Sequence, residues 1–168
     1  ILESSQLNEQ LNCRLLLKAE ALQRTGSFKF RGAYNKISQI PTHKRSKGVV
    51  AYSSGNHAQG VAAVAQIFDL PATIVMPSDA PDIKIENTRS YGANVEFYDR
   101  KIGNRVEMAK RISDETGGLL IPPYNDPDII AGQGTIALEL IRQSEELSVK
   151  LDIVMGPSSG GGMMSGCS

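Results

Sequence analysis

The chain has no charge surplus of either sign: 18 Lys+Arg stand against 18 Asp+Glu in 168 residues. That balance argues against electrostatic capture of nucleic acid or anionic lipid. Cysteine is scarce, with Cys13 and Cys167 alone, so no disulfide framework is expected. No Asn-x-Ser/Thr sequon occurs. No apolar run approaches the ~18 residues of a membrane span, and no signal peptide is visible. These absences predict a soluble cytoplasmic protein with no membrane partner and no nucleic-acid partner. The chain opens on Ile1 rather than Met and stops just past a glycine-rich loop that should start another helix. It therefore reads as a piece of something longer.

What is present is a regular alternation. Short apolar runs at 14–18, 48–52, 72–76, 93–98, 119–121 and 151–155 predict strands. Between them, helices are predicted at 28–40, 56–68, 81–91, 103–116 and 129–146. The strands are continuous apolar runs, as expected when both sheet faces are covered. The fold class is therefore α/β, with an open, mostly parallel twisted sheet flanked by helices.

Polar residues gather after strands and before helices, where open α/β sheets bind ligands. Ser53-Ser54-Gly55-Asn56-His57 follows one strand and offers hydroxyls, an amide and helix N–H groups suited to a carboxylate. The segment could also simply cap a helix. Ser158-Ser159-Gly160-Gly161-Gly162 follows the last strand and could turn its backbone N–H groups on a phosphate, or be a plain flexible turn. It is not a P-loop, because no Gly-Lys-Ser/Thr follows.

One stretch is electrostatically odd. In TGSFKFRGAYNK, Thr25-Gly26-Ser27 reads as a turn leading into a helix N-cap, yet Lys29 and Arg31 fall in the first helical turn. A helix N-terminus favours anions by ~0.3–1 kcal/mol each, so two cations there have the wrong sign. The helix N-terminus and the neighbouring Arg31 would both disfavour the Lys29 ammonium form, and a lysine so placed spends time as a nucleophilic amine.

Together, TGSFKFRGA, SSGNHAQG, AGQGTIALE and SSGGGMMSG resemble the pyridoxal-phosphate enzymes of fold type II, in the serine/threonine dehydratase and serine racemase branch. The resemblance covers essentially the whole chain and implies a two-domain architecture like the tryptophan synthase beta chain. Residues 1–47 and 127–168 would begin the large domain, and residues 48–126 would form the small one. It implies that Lys29 carries the Schiff base, with Phe28 beside the cofactor ring and Asn56 and Asn125 near it. Ser159, Gly160, Gly161, Gly162 and Met163 would cradle the cofactor phosphate. Ser53, Ser54, Gly55, Asn56 and His57 would bind the substrate carboxylate.

The implied reaction is elimination of water from a serine- or threonine-type hydroxy amino acid, giving a 2-oxo acid and ammonia. Serine racemase and 3-hydroxyaspartate dehydratase share Ser54, which could move a proton on the face opposite Lys29, so both remain alternatives. Ser4, Ser5, Thr25, Gln59, Lys84 and Tyr91 match a nucleotide effector site of serine racemase. A divalent cation site and much of a homo-oligomer interface would lie outside the chain, so no metal ligand is assigned within it. Most members of that family carry a fourth glycine where Ser159 stands, and they are roughly twice as long. A non-catalytic binding module for a phosphate ligand or nucleotide is the reading from a different class.

Overall fold

The computed structural model describes residues 1–168. Strand β1 (Leu2–Glu3) pairs antiparallel with β2 (Leu16–Leu17), and helix α1 (Ser5–Leu11) lies between them. Helix α2 (Lys29–Ser38) precedes a parallel βαβ series: β3 (Val49–Tyr52), α3 (Asn56–Ile67), β4 (Ala72–Pro77), α4 (Asp82–Ser90), β5 (Asn94–Tyr98), α5 (Arg105–Thr116) and β6 (Leu119–Ile121). Helices α6 (Pro127–Glu146) and α7 (Gly162–Cys167) complete the chain. The four long-range strands form one parallel sheet in the order β5-β4-β3-β6, with Ala51 aligned to both Ile74 and Ile121. The expected α/β class is the observed one.

The apolar runs are continuous because the pleat sends alternate residues to two covered faces. Val49, Ala51, Ile74 and Met76 join α2 and α3 in the main core, where Val61, Val64 and Ile37 are fully buried. Val50 and Val75 face the other way and meet Ala109 of α5 in a smaller cluster.

Helix α2 is fixed from several sides. A Cβ on Gly132 of α6 would lie 2.6 Å from the Gly32 Cα and 2.8 Å from the Arg31 carbonyl oxygen. The two backbones therefore touch, and any side chain at either glycine would separate them. Arg31 then forms a nearly buried fork: Nε and Nη2 donate to Glu20 at 2.7 and 2.9 Å, and Nη1 and Nη2 donate to Glu139 at 2.7 Å each. Lys36 pairs with Asp126 at 2.8 Å and with Asp128 at 3.1 Å, at the start of α6. Asp126 also caps that helix, accepting from the Asp128 and Ile129 N–H groups.

Two expectations are corrected. Residues 151–155 form no strand: they follow the end of α6 as irregular coil, with Ile153 77% and Met155 82% exposed. A strand needs a neighbour about 4.8 Å away for its ladder, and no element of this chain supplies one. Nor does Thr25-Gly26-Ser27 supply an N-cap. Phe28 occupies that position without a side-chain cap, while Thr25 and Gly26 take left-handed φ values of 61° and 72°. Ser27 and Thr25 instead bury hydroxyl oxygens that have no partner.

Gly132→Ala should cost about 1–3 kcal/mol, because its Cβ meets backbone that cannot rotate aside. A urea midpoint unchanged from the parent would show that α2 and α6 are free to separate.

Candidate active site

The carboxyl ends of β3 and β6 and the N-termini of several helices converge on an open cavity of about 310 Å³. Lys29 is the first residue of α2, Asn56 the first of α3 and Arg105 the first of α5. These three line the cavity with Tyr52, Ser53, Gly55, His57, Lys84, Pro123 and Tyr124. Three cations face it, and no carboxylate does.

The wrong-sign puzzle of α2 resolves differently for each residue. Arg31 does not act on Lys29. It turns to Glu139 and Glu20, whose hydrogen bonds raise its pKa, and Arg31 in turn, with Lys18 adding, holds the Glu139 carboxyl down at about 2. This corrects the expectation that Arg31 destabilises the lysine ammonium. Lys36 is partly buried but is held charged by its hydrogen bonds to Asp126 and Asp128. Lys29 has no carboxylate. Burial alone lowers its pKa, and its Nζ donates to the Pro123 carbonyl while lying 5.3 Å from the centre of the Phe28 ring.

His57 is 3% exposed, and its Nε2–H donates to the Ile121 carbonyl at 2.9 Å. Its Nδ1 is buried without a partner. Burial, with the Lys29 charge adding and the Ile121 bond opposing, pushes its pKa down to about 4. His57 is therefore neutral at physiological pH.

The sequence placed Lys29, Ser53, Gly55, Asn56 and His57 together, and all five line this cavity. Ser54 sits half-buried in the same turn but is not among the lining residues. Asn125 is exposed, and the cavity wall at that turn is its neighbour Tyr124. The glycine loop joins the site through that tyrosine. A Cβ on Gly160 would lie 2.6 Å from the Tyr124 ring, and one on Gly162 would lie 2.6 Å from its carbonyl oxygen. Ser159 is exposed, and Gly161 has φ 82° at the cap of α7, in which Met163 lies.

Of the residues matched to an effector site, Lys84 lines the Lys29 cavity. Thr25 and Gln59 lie on packed neighbours, the turn before α2 and helix α3, and Tyr91 closes α4. Ser4 caps α1, accepting from the Leu7 N–H, and Ser5 begins that helix.

Sequence reasoning overlooked Tyr52, Arg105 and Tyr124. The sign test that singled out Lys29 applies equally to Arg105, a cation opening a helix. Its guanidinium lies 5.8 Å from the centre of the Tyr52 ring, and it has no acidic partner.

Comparison with known proteins gives a consistent result. The family model described as pyridoxal-phosphate dependent enzyme matches residues 1–168. L-threo-3-hydroxyaspartate ammonia-lyase of Saccharomyces cerevisiae is 48% identical over 166 residues, which is 99% of this chain and 50% of that protein. L-threonine ammonia-lyase of Thermotoga maritima is 50% identical over 165 residues, 98% of this chain and 40% of that protein. The structure of maize serine racemase superposes with a TM-score of 0.92 at 42% identity, covering 99% of this chain and 49% of that one. The chain thus spans about half the length of the curated relatives it matches.

A histidine buried neutral must take up a proton on unfolding in acid. Its unfolded value is ~6.5, so the stability it contributes is complete above that pH and is lost as pH falls toward 4. The loss should reach about 3 kcal/mol. Urea unfolding from pH 7 to pH 4 should show it, and His57→Gln should flatten that part of the profile.

Proposed function

This chain belongs to the family of pyridoxal-phosphate dependent enzymes, and on that premise we propose that its site eliminates water from a β-hydroxy amino acid. The observation that carries the proposal is a half-buried lysine of lowered pKa without an acidic partner, beside a helix N-terminus. The residues present suit a group bearing an aldehyde and a phosphate. The Lys29 amine is kept available for the first, and the Gly160–Gly162 turn has no side chains to obstruct the second. When bound, pyridoxal phosphate supplies a carbonyl that links to amines and a ring that accepts the electron pair left by a lost proton.

Lys29 would hold the cofactor through its amine, and its Nζ would take the proton from the substrate Cα. The α-carboxylate is received by Ser53, the Asn56 amide and the free N–H groups in the first turn of α3. The β-hydroxyl leaves with a proton as water. The unsaturated amine that results takes water back and releases a 2-oxo acid and ammonia, so the atoms balance. Residues 1–47 and 127–168 are proposed to form one domain of the whole protein and residues 48–126 another, with the site between them.

Lys84 and Arg105 favour a substrate with a second carboxylate, of the 3-hydroxyaspartate kind, over serine or threonine. A lone α-carboxylate leaves both cations without a counter-ion, whereas a β-carboxylate can reach one of them. Racemisation would require Ser54 to act across the substrate from Lys29, and Ser54 does not line the cavity. A non-catalytic binding module gives no account of a half-buried lysine amine that faces the cavity without an acidic partner.

Adding pyridoxal phosphate to the whole protein and reducing with borohydride should label Lys29, and Lys29→Ala should remain unlabelled. Binding without label at Lys29 would instead support a non-covalent ligand site. Arg105→Met should raise KM for 3-hydroxyaspartate by roughly 10–100-fold, the worth of one charge-assisted hydrogen bond. It should leave KM for threonine nearly unchanged.

A further inference from the structure

The segment after β6 is Ile121-Pro122-Pro123-Tyr124. Two prolines in succession remove two backbone N–H donors, so Pro122 and Pro123 cannot be anchored by donation. Between Ile121 and Tyr124 the backbone can therefore be tied only through its carbonyls. Both ties run to first-turn residues of helices that line the cavity. The Ile121 carbonyl accepts from His57 Nε2–H, and the Pro123 carbonyl accepts from Lys29 Nζ. Strand β6 is also the edge of its sheet, paired with β3 alone, so no further strand steadies its end.

We propose that His57 is a positioning residue for Lys29, acting through the Ile121–Pro123 strap. By holding the Ile121 carbonyl, the imidazole sets where the Pro123 carbonyl stands and keeps that wall closed over the lysine amine. His57 does not itself transfer a proton to substrate. Its remaining nitrogen is buried without a partner, which suits a ring kept for one hydrogen bond. The titratable groups facing the same cavity are Lys29 from α2, Tyr52 from β3, Lys84 from α4, Arg105 from α5 and Tyr124 after β6. None is a carboxylate that could hold Lys29 in place of the strap. The inference concerns the chain's own hydrogen bonds and holds whichever hydroxy amino acid is the substrate.

The test is the reactivity of Lys29 in the whole protein dialysed free of pyridoxal phosphate, read by competitive acetylation and peptide mapping across pH. His57→Gln keeps an N–H near the Nε2 position. His57→Asn carries its amide too short to reach Ile121, and His57→Leu has no donor. Opening the wall over Lys29 returns its amine toward ordinary lysine behaviour, so labelling at pH 8 should fall severalfold in the Asn and Leu variants. His57→Gln should label as the parent does. If Leu does not fold, Asn against Gln decides. Parent-like labelling in Asn would overturn the proposal, and so would an equal fall in Asn and Gln. A loss of elimination with unchanged Lys29 labelling would also overturn it, by giving His57 a part in the chemistry itself.

Discussion

The position of Lys29 rests on a contact that contains no lysine. Helices α2 and α6 meet backbone to backbone at Gly32 and Gly132. That approach brings Arg31 within reach of Glu139, and Lys36 within reach of Asp126 and Asp128. With those pairs made, the axial position and rotation of α2 are fixed, and its first residue is fixed with them. Close packing of this kind transmits small displacements because interiors have little free space. One methyl group between the two helices would push them apart and carry the amine with α2.

The same arrangement separates the cations by task. Arg31 and Lys36 spend their charge on carboxylates and hold helices together. Lys29, Lys84 and Arg105 have no such partners and surround open space. Unpaired cations at helix N-termini repel one another and oppose the helix dipoles, a local cost the fold carries. An arriving anion relieves it. The cavity is thus electrostatically suited to a negatively charged ligand, and a more highly charged ligand gains more.

Much of this was legible in the sequence. Helices and strands from β3 to β6 fall within a residue or two of their expected places, because apolar runs, glycines and prolines mark them locally. The lysine was found by its wrong sign, and the Ser53–His57 turn by its density of polar groups after a strand. The rest depended on distance along the chain. Arg31 looked like an influence on Lys29 until Glu20, 11 residues before it, and Glu139, 108 residues after it, claimed its charge. Tyr124 rather than its neighbour Asn125 faces the cavity, a choice made in an irregular turn that no periodicity reports. Arg105 was open to discovery by the reasoning already applied to Lys29.

The unpaired run at 151–155 has a consequence for handling the chain by itself. It combines β-branched and apolar residues with unoccupied backbone donors and acceptors, and Ile153 and Met155 are mostly exposed. Those are the attributes of a sheet edge without a neighbour, the kind of template on which strands from separate molecules associate. Association through this run is therefore expected to limit the concentration of these residues by themselves. A charged substitution at Val154 would lower the tendency to associate without touching the lysine site.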